Sequence, residues 1–235
     1  MLTKIPKEQM FLANEGWLES RFHFSFAQYH DRHNMNFGVL RVLNDDIVHP
    51  NSGFGMHPHK DMEIISYIID GEITHEDSMG NKETLHPGEV QYMSAGTGVL
   101  HSEYNHGKSD LRLLQIWILP PAKGLEPLYG SYKFNEAEKK NKLLHMVSSL
   151  EGNAPVKLHQ DVNIFVSQLE AHKELELNIK KNRQLYMVQI KGETSFNDKV
   201  LTQSDALKVQ DTEFLKIKAL KNSEFLCIEM AQSLH

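Results

Sequence analysis

A chain of 235 residues and 27.0 kDa, with a formal charge of -6 and a pI near 6.1, is long enough for two modest domains, each able to bury its own core. Its 40% hydrophobic and 24% charged residues exclude a disordered or fibrous class. The acidic balance argues against direct contact with nucleic acid, which needs clustered Lys and Arg.

The opening MLTKIPKEQMFLANEGWLESRF lacks the apolar run of a secretory signal. Nowhere do eighteen consecutive apolar residues occur, so no membrane association is expected and the chain is read as cytoplasmic. FHFSFAQY alternates Phe22, Phe24 and Phe26 against His23, Ser25 and Ala27. It reads as a strand with one face in a core rather than as a ligand-binding aromatic box. FGVLRVL, EIISYIIDGEIT, GEVQYMSAG and LRLLQIWIL follow as further short β-runs separated by turns. Trp117 and Gln115 in the last of these take the same core reading. LPPAKGLEPLYGSYKF, with Pro120, Pro121, Gly124 and Pro127, breaks the pattern and reads as a connector between two units. FNEAEKKNK is the principal helical candidate, with Asn135 as its cap, and a turn is expected near Asp205. NIFVSQL, LELNI, LYMVQIKGE, FLKIKAL and FLCIEM then complete an all-β pattern. The single cysteine, Cys227, excludes an internal disulfide and reads as a buried, inert thiol.

The two halves share a faint likeness: YIIDGEIT from Tyr67 matches YMVQIKGETS from Tyr186, each an apolar strand entering Gly-Glu and a second strand. Superposing Gly71 on Gly192 places Asn178 and Lys180 where the first half has His57 and His59.

Those histidines belong to GMHPHKDME. Residues i and i+2 of a strand project to one face, about 6.6 Å apart along it, so His57 and His59 point together. Pro58 between them suits an edge strand and stiffens the backbone. AGTGVLHSEYN repeats the spacing in His101 and Glu103. Singly, each pair reads as ordinary strand-end polar residues in a chain with 14 histidines. Together, with Gly-rich turns before the second pair and a hairpin pattern between them, they point to three imidazoles and one carboxylate converging on a metal. Such a shell suits iron, manganese, nickel, cobalt, copper or zinc rather than calcium or magnesium. Four protein ligands on an octahedral ion leave two positions open to water, oxygen or a chelating substrate.

GFGMHPHKDMEIISYIIDGEITHEDSMGN and LHPGEVQYMSAGTGVLHSEYN together resemble the paired motifs of the pirin family within the cupin superfamily. The resemblance extends from about Gly16 to LLQIWILP and continues more weakly through the second half. It implies a bicupin of two β-barrels (double-stranded β-helices). Residues 1–125 would form the metal-binding domain, and 126–235 a degenerate cupin domain without metal ligands. The family's metal ligands fall on His57, His59, His101 and Glu103. Cupins outside this family more often draw the carboxylate from the first motif, where Glu63 stands. Glu63 lies about 13 Å beyond His59 on an extended strand, so Glu103 is assigned to the metal and Glu63 and Asp61 to supporting roles.

The resemblance further implies one divalent transition-metal ion, Fe(II) first, with Zn, Ni, Co, Mn or Cu as alternatives. The substrates would be a small aromatic polyphenol and O2, and the activity that of a quercetin 2,3-dioxygenase, with Glu103 as the catalytic base. A metal-binding, redox-sensing regulatory protein of pirin type is the alternative. A monomer is expected.

Overall fold

The computed structural model describes residues 1–232, which form two compact units. One is Phe11–Phe134; the other joins Met1–Met10 to the chain from Asn135 onward. The division therefore falls after Phe134 rather than at the 125/126 boundary expected, and the first ten residues belong to the second unit. The segment read as a connector accounts for the difference. Beyond its prolines it forms a strand, Leu128–Lys133, that pairs along Glu89–Ser94 of the first unit.

Alternating and continuous apolar runs give twenty-two strands among the described residues. The first ten residues supply β1 (Leu2–Ile5). The first unit contains β2 (Phe11–Asn14), β3 (Leu18–Phe22), β4 (Leu40–Val48), β5 (Ser52–His59), β6 (Glu63–Asp70), β7 (Ile73–Asp77), β8 (Lys82–Leu85), β9 (Glu89–Ser94), β10 (Val99–Asn105), β11 (Leu111–Ile118) and β12 (Leu128–Lys133). The second adds β13 (Leu144–Ser149), β14 (Val156–Leu158), β15 (Val162–Leu169), β16 (Glu174–Asn178), β17 (Arg183–Lys191), β18 (Glu193–Phe196), β19 (Lys199–Thr202), β20 (Ala206–Val209), β21 (Phe214–Ala219) and β22 (Ser223–Ala231).

Each unit pairs a seven-stranded sheet with a four-stranded one. The first has orders β12-β9-β6-β11-β4-β3-β2 and β5-β10-β7-β8; the second has β1-β20-β17-β22-β15-β13-β14 and β16-β21-β18-β19. Strand for strand, β4 to β11 correspond to β15 to β22. In both units the two sheets share one apolar core. Val48, Ile68, Leu111 and Leu113 of the first unit's large sheet pack with Ile73 and Leu85 of its small one. Met187, Leu207 and Phe225 pack likewise with Phe196, Leu215 and Ile217.

The helix expected in FNEAEKKNK is a single 3-10 turn, Glu136–Glu138. Asn135 caps it as expected, its side chain accepting from the Ala137 N–H at 3.0 Å. The turn ends because the next residues join a strand: Gln168 N–H donates to Lys139 O at 2.8 Å, and Asn141 N–H to Gln168 O at 2.7 Å. FHFSFAQY also departs from expectation. The strand stops at Phe22, and His23, Phe24 and Ser25 are all buried. Cys227 is a free, buried thiol, pushed up by burial and by the nearby Glu229 carboxylate. Among the described residues no helix is long and apolar enough to cross a membrane.

The glycines that opened the internal likeness do the same work in both units. Gly71 and Gly192 each have φ +78, where a side chain is strained. A Cβ on Gly71 would lie 2.5 Å from Asp110 O, and one on Gly192 2.1 Å from Asn222 O. Strand turn and neighbouring backbone thus meet without room for a methyl group. Gly71→Ala is therefore expected to lose about 1–3 kcal/mol of stability in urea denaturation, whereas Gly80→Ala, open to solvent, should lose only the strain of its positive φ.

Candidate metal centre

β5 is an edge strand and pairs antiparallel with β10: His57 lies opposite His101, Pro58 opposite Leu100 and His59 opposite Val99. The proline costs no ladder bond at that edge. Between His101 and Glu103 the register shifts, so that Glu103 stands opposite Phe54. Such a bulge re-aims side chains. The three imidazoles form a near-regular triangle, with ring centroids 4.5 to 4.8 Å apart, and their donor nitrogens all fall within 4.8 Å of one another.

The protons on these rings follow from their partners. His57 Nδ1 lies 2.8 Å from Gly55 O; a carbonyl only accepts, so Nδ1 carries the hydrogen and Nε2 a lone pair. His75 Nε2 lies 3.0 Å from the Asp77 carboxylate, so it donates there and leaves Nδ1 as an acceptor. That acceptor lies 3.4 Å from His101 Nδ1, which places the His101 proton on Nδ1 and the lone pair on Nε2. The two lone-pair nitrogens, His57 Nε2 and His101 Nε2, face each other at 3.1 Å.

Without a hydrogen between them this is a repulsive contact, and a cation between them converts it into ligation. Two donors about 2.1 Å from one ion subtend roughly a right angle at that separation, as in octahedral coordination. Burial, then the neighbouring His101 and His57, lowers His59 to about 4. Burial, then His57 and His75, lowers His101 to about 3. Both rings are therefore neutral near pH 7, the state a metal requires. The donor set fits a first-row transition ion.

Glu103 is 3% exposed and is grouped with His101 and His75. One carboxylate oxygen accepts from Gln91 Nε2 at 2.8 Å, the other from Gln115 Nε2 at 2.9 Å, and the Ser66 hydroxyl lies 3.4 Å from the first. Gln91, Ser66 and Gln115 are consecutive partners across β9, β6 and β11, so one polar row on the large sheet receives the single acid that descends from the small sheet. Burying a carboxylate without such donors would cost several kcal/mol.

His57, His59 and Glu103 open onto a cavity of about 180 Å3, walled by Phe26, Phe54 and Trp117. Trp117 meets His59 edge-on at 4.8 Å and Phe26 at 5.3 Å. The core reading of Phe26, Gln115 and Trp117 is thus replaced by a place in the cavity wall. Asn44 and Asp46 of β4 complete the wall. Asn44 Oδ1 and Trp117 Nε1 are buried without a protein partner, an acceptor and a donor on residues around the same space. Asp46 is raised to about 7, mainly by burial, against a hydrogen bond from Ser20 and with Asp45 and Glu103 adding to the rise.

The roles given to Glu63 and Asp61 do not find support. Glu63 is buried at the start of β6 but stands in neither His/Glu group nor the cavity wall. Asp61 adopts φ +50, donates its N–H to Gly96 O at 2.9 Å and accepts from Gly124 N–H at 2.6 Å, a turn residue that ties down the loop after β11. Sequence reasoning missed His75, Asp77 and Asp46. His75 and Asp77 show the same two-residue spacing as HPH and HSE, within ITHED. His75 is stacked on Tyr129 at 4.2 Å. Burial raises Asp77, but hydrogen bonds from His75, Asn81 and Met79 overcome it and hold the carboxyl below the usual range.

Asp46 makes a pH-dependent contribution whose sign is fixed. The folded state keeps a proton up to about pH 7 that the unfolded chain releases near 3.9, so this contribution to stability is complete below about pH 4 and is lost as pH rises through 7. Asp46→Asn removes the titration. By scanning fluorimetry the variant should melt several degrees above the wild type at pH 8 and together with it at pH 4.

Residues 5–118 match the family described as Pirin, and residues 145–230 the family described as Quercetinase C-terminal cupin domain. The quercetin 2,3-dioxygenase of Escherichia coli K12 is 40% identical over 219 residues, covering 93% of this chain and 94% of that protein. The pirin-like protein of Caulobacter vibrioides is 38% identical over 232 residues, covering 98% and 100%. Among solved structures, the bacterial pirin YhhW from Escherichia coli in complex with nickel(II) superposes with a TM-score of 0.93 at 37% identity, covering 99% of this chain and 100% of that one.

Proposed function

This chain belongs to the pirin family and has its two-domain cupin fold; on that premise we propose that it is a metal-dependent dioxygenase that opens a flavonol such as quercetin. The observation that carries the reading is the pair of deprotonated imidazole nitrogens facing each other at 3.1 Å at the edge of an aromatic-walled cavity. The relatives named quercetin 2,3-dioxygenase supply the substrate class, and the nickel(II) complex of YhhW supports a bound metal ion.

His57, His59, His101 and Glu103 would hold one divalent transition ion, Fe(II) being our first choice. Bound there, it would acidify the substrate hydroxyl and provide the route to dioxygen. Glu103 takes the hydroxyl proton; Gln91 and Gln115 keep its two oxygens oriented while it does so. Phe26, Phe54 and Trp117 flank a flat ring and exclude water. A cavity of about 180 Å3 is small beside the usual ligand site, so one ring of the flavonol enters and the remainder lies in the mouth. We further propose that the second unit works without a metal, since β16 (ELELN) and β21 (FLKIKA), the counterparts of β5 and β10, carry no histidine, and that the protein acts as a monomer in the cytoplasm.

Quercetin-dependent oxygen uptake should fall to background in His57→Ala and Glu103→Ala, with both variants retaining the wild-type circular dichroism. Unchanged turnover in either would reject the ligand assignment. Absence of turnover with Fe, Ni, Co, Mn, Zn and Cu in turn would favour the metal-binding regulatory reading instead. His75→Phe keeps the stack on Tyr129 but removes the acceptor that fixes the His101 proton. Equilibrium dialysis with Ni(II) should then show about 10- to 100-fold weaker binding.

A further inference from the structure

We propose that the second unit carries a separate binding site for a small hydroxyaromatic carboxylate, in the cavity that corresponds to the metal cavity of the first. It measures about 490 Å3 and lies among residues of β13, β15, β16, β17 and β22. Three of those strands, β15, β16 and β22, are the counterparts of β4, β5 and β11, which wall the first cavity. Its volume falls within the range typical of small-molecule sites. The proposal does not depend on the metal or on the dioxygenase reading.

The ligand's chemistry is read from the wall. His145 and Phe165, cross-strand neighbours, stack at 4.5 Å with 22° between their planes, and Leu177 and Leu185 continue the apolar surface. A flat ring suits that surface. Behind it runs a hydrogen-bonded chain that fixes one acceptor. Arg183 donates to both oxygens of Glu229, at 2.6 and 2.8 Å. Glu229 also accepts from Asn163 Nδ2 at 2.6 Å, so Asn163 must turn its Oδ1 the other way. That oxygen lies 2.9 Å from His145 Nε2, which therefore donates. In the neutral ring the lone pair is left on Nδ1, ready to accept from a phenolic O–H.

The opposite requirement, a group for an anion, is met at the rim. Arg183 is already engaged by two carboxylates, Glu229 and Asp161. Lys180 lines the same cavity and is exposed, and among the described residues no ion pair engages it; Asn178, two residues earlier, is also on the wall. The wall thus combines a hydroxyl acceptor, an ammonium and an amide with a flat apolar face. Phenol alone or a carboxylate alone would use only half of this.

Isothermal titration calorimetry on the full-length protein tests the assignment, with 2-, 3- and 4-hydroxybenzoate titrated separately and benzoate and phenol as controls. At least one hydroxybenzoate should bind saturably at one equivalent, and about tenfold more tightly than benzoate or phenol. Lys180→Met should weaken that isomer about tenfold and leave phenol unchanged. His145→Phe should weaken it similarly and leave benzoate unchanged. Leu185→Trp, which fills the cavity, should abolish binding, whereas His57→Ala in the first unit should not alter it. Failure of all three isomers to bind at millimolar concentration would overturn the proposal. So would binding that survives Leu185→Trp or disappears in His57→Ala.

Discussion

A carboxylate buried away from any cationic side chain has to be satisfied by neutral donors, and Glu103 sets that demand on the first unit. Gln91 and Gln115 meet it from strands on either side of Ser66. These three strands belong to the large sheet and Glu103 to the small one, so the hydrogen bonds fix how β10 lies over its neighbours. A slip of one residue in β10 would turn Glu103 outward and strand two amides in an apolar interior. Held in register, β10 carries His101 to a point opposite His57 and, two residues further along the same buried face, Glu103.

The same fixity extends to individual protons. Gly55 O sets the tautomer of His57, while Asp77, acting through His75, sets that of His101. The Nε2 lone pairs of the neutral His57 and His101 rings are therefore directed before any ion arrives. Low basicity at His59 and His101 acts in the same direction, because protons compete weakly for nitrogens in a desolvated cluster. The cost is repulsion between facing nitrogens. The apolar core shared by Val48, Ile68, Ile73, Leu85, Leu111 and Leu113 sustains it.

How much of this was legible in the sequence follows from the range of each interaction. Strand periodicity is local, and the β-runs from FGVLRVL to FLCIEM lie on observed strands. The spacing in HPH and HSE is equally local, and three of the four side chains it selected, His57, His59 and His101, share one group. Pro120 to Pro127 read as a linker because Pro and Gly disfavour strands locally, yet β12 beyond them gains a partner in β9, some forty residues earlier. Ser66, Gln91 and Gln115 were visible as isolated polar residues in apolar strands. That they form one row depends on strand order, which pairing distant in sequence decides. Asp46 was hidden for a similar reason: its parity with Asn44 shows a polar strand end, and only the fold places that end beside Glu103.

The two units separate what the fold needs from what the site needs. Topology, the positive-φ glycine between paired strands and a core spanning both sheets are common to both. In the strand pair β16–β21, by contrast, Leu177 faces Leu215, where β5–β10 sets His57 against His101; the register thus puts Leu177, rather than the Asn178 expected from the sequence, at the place of His57. The second unit keeps the body of its core in Met187, Phe196, Leu207, Ile217 and Phe225, away from the cavity wall, which only Leu185 and Ile179 of that cluster reach. Loss of the imidazoles therefore leaves the packing intact. It also removes the electrostatic reason for a buried lone acid, and the second unit's cavity instead pairs its acid, Glu229, with a guanidinium. Two units of matching strand order whose stability resides in their apolar layers can differ at the open end with little constraint beyond one: every polar group buried there must find a partner of the right sign.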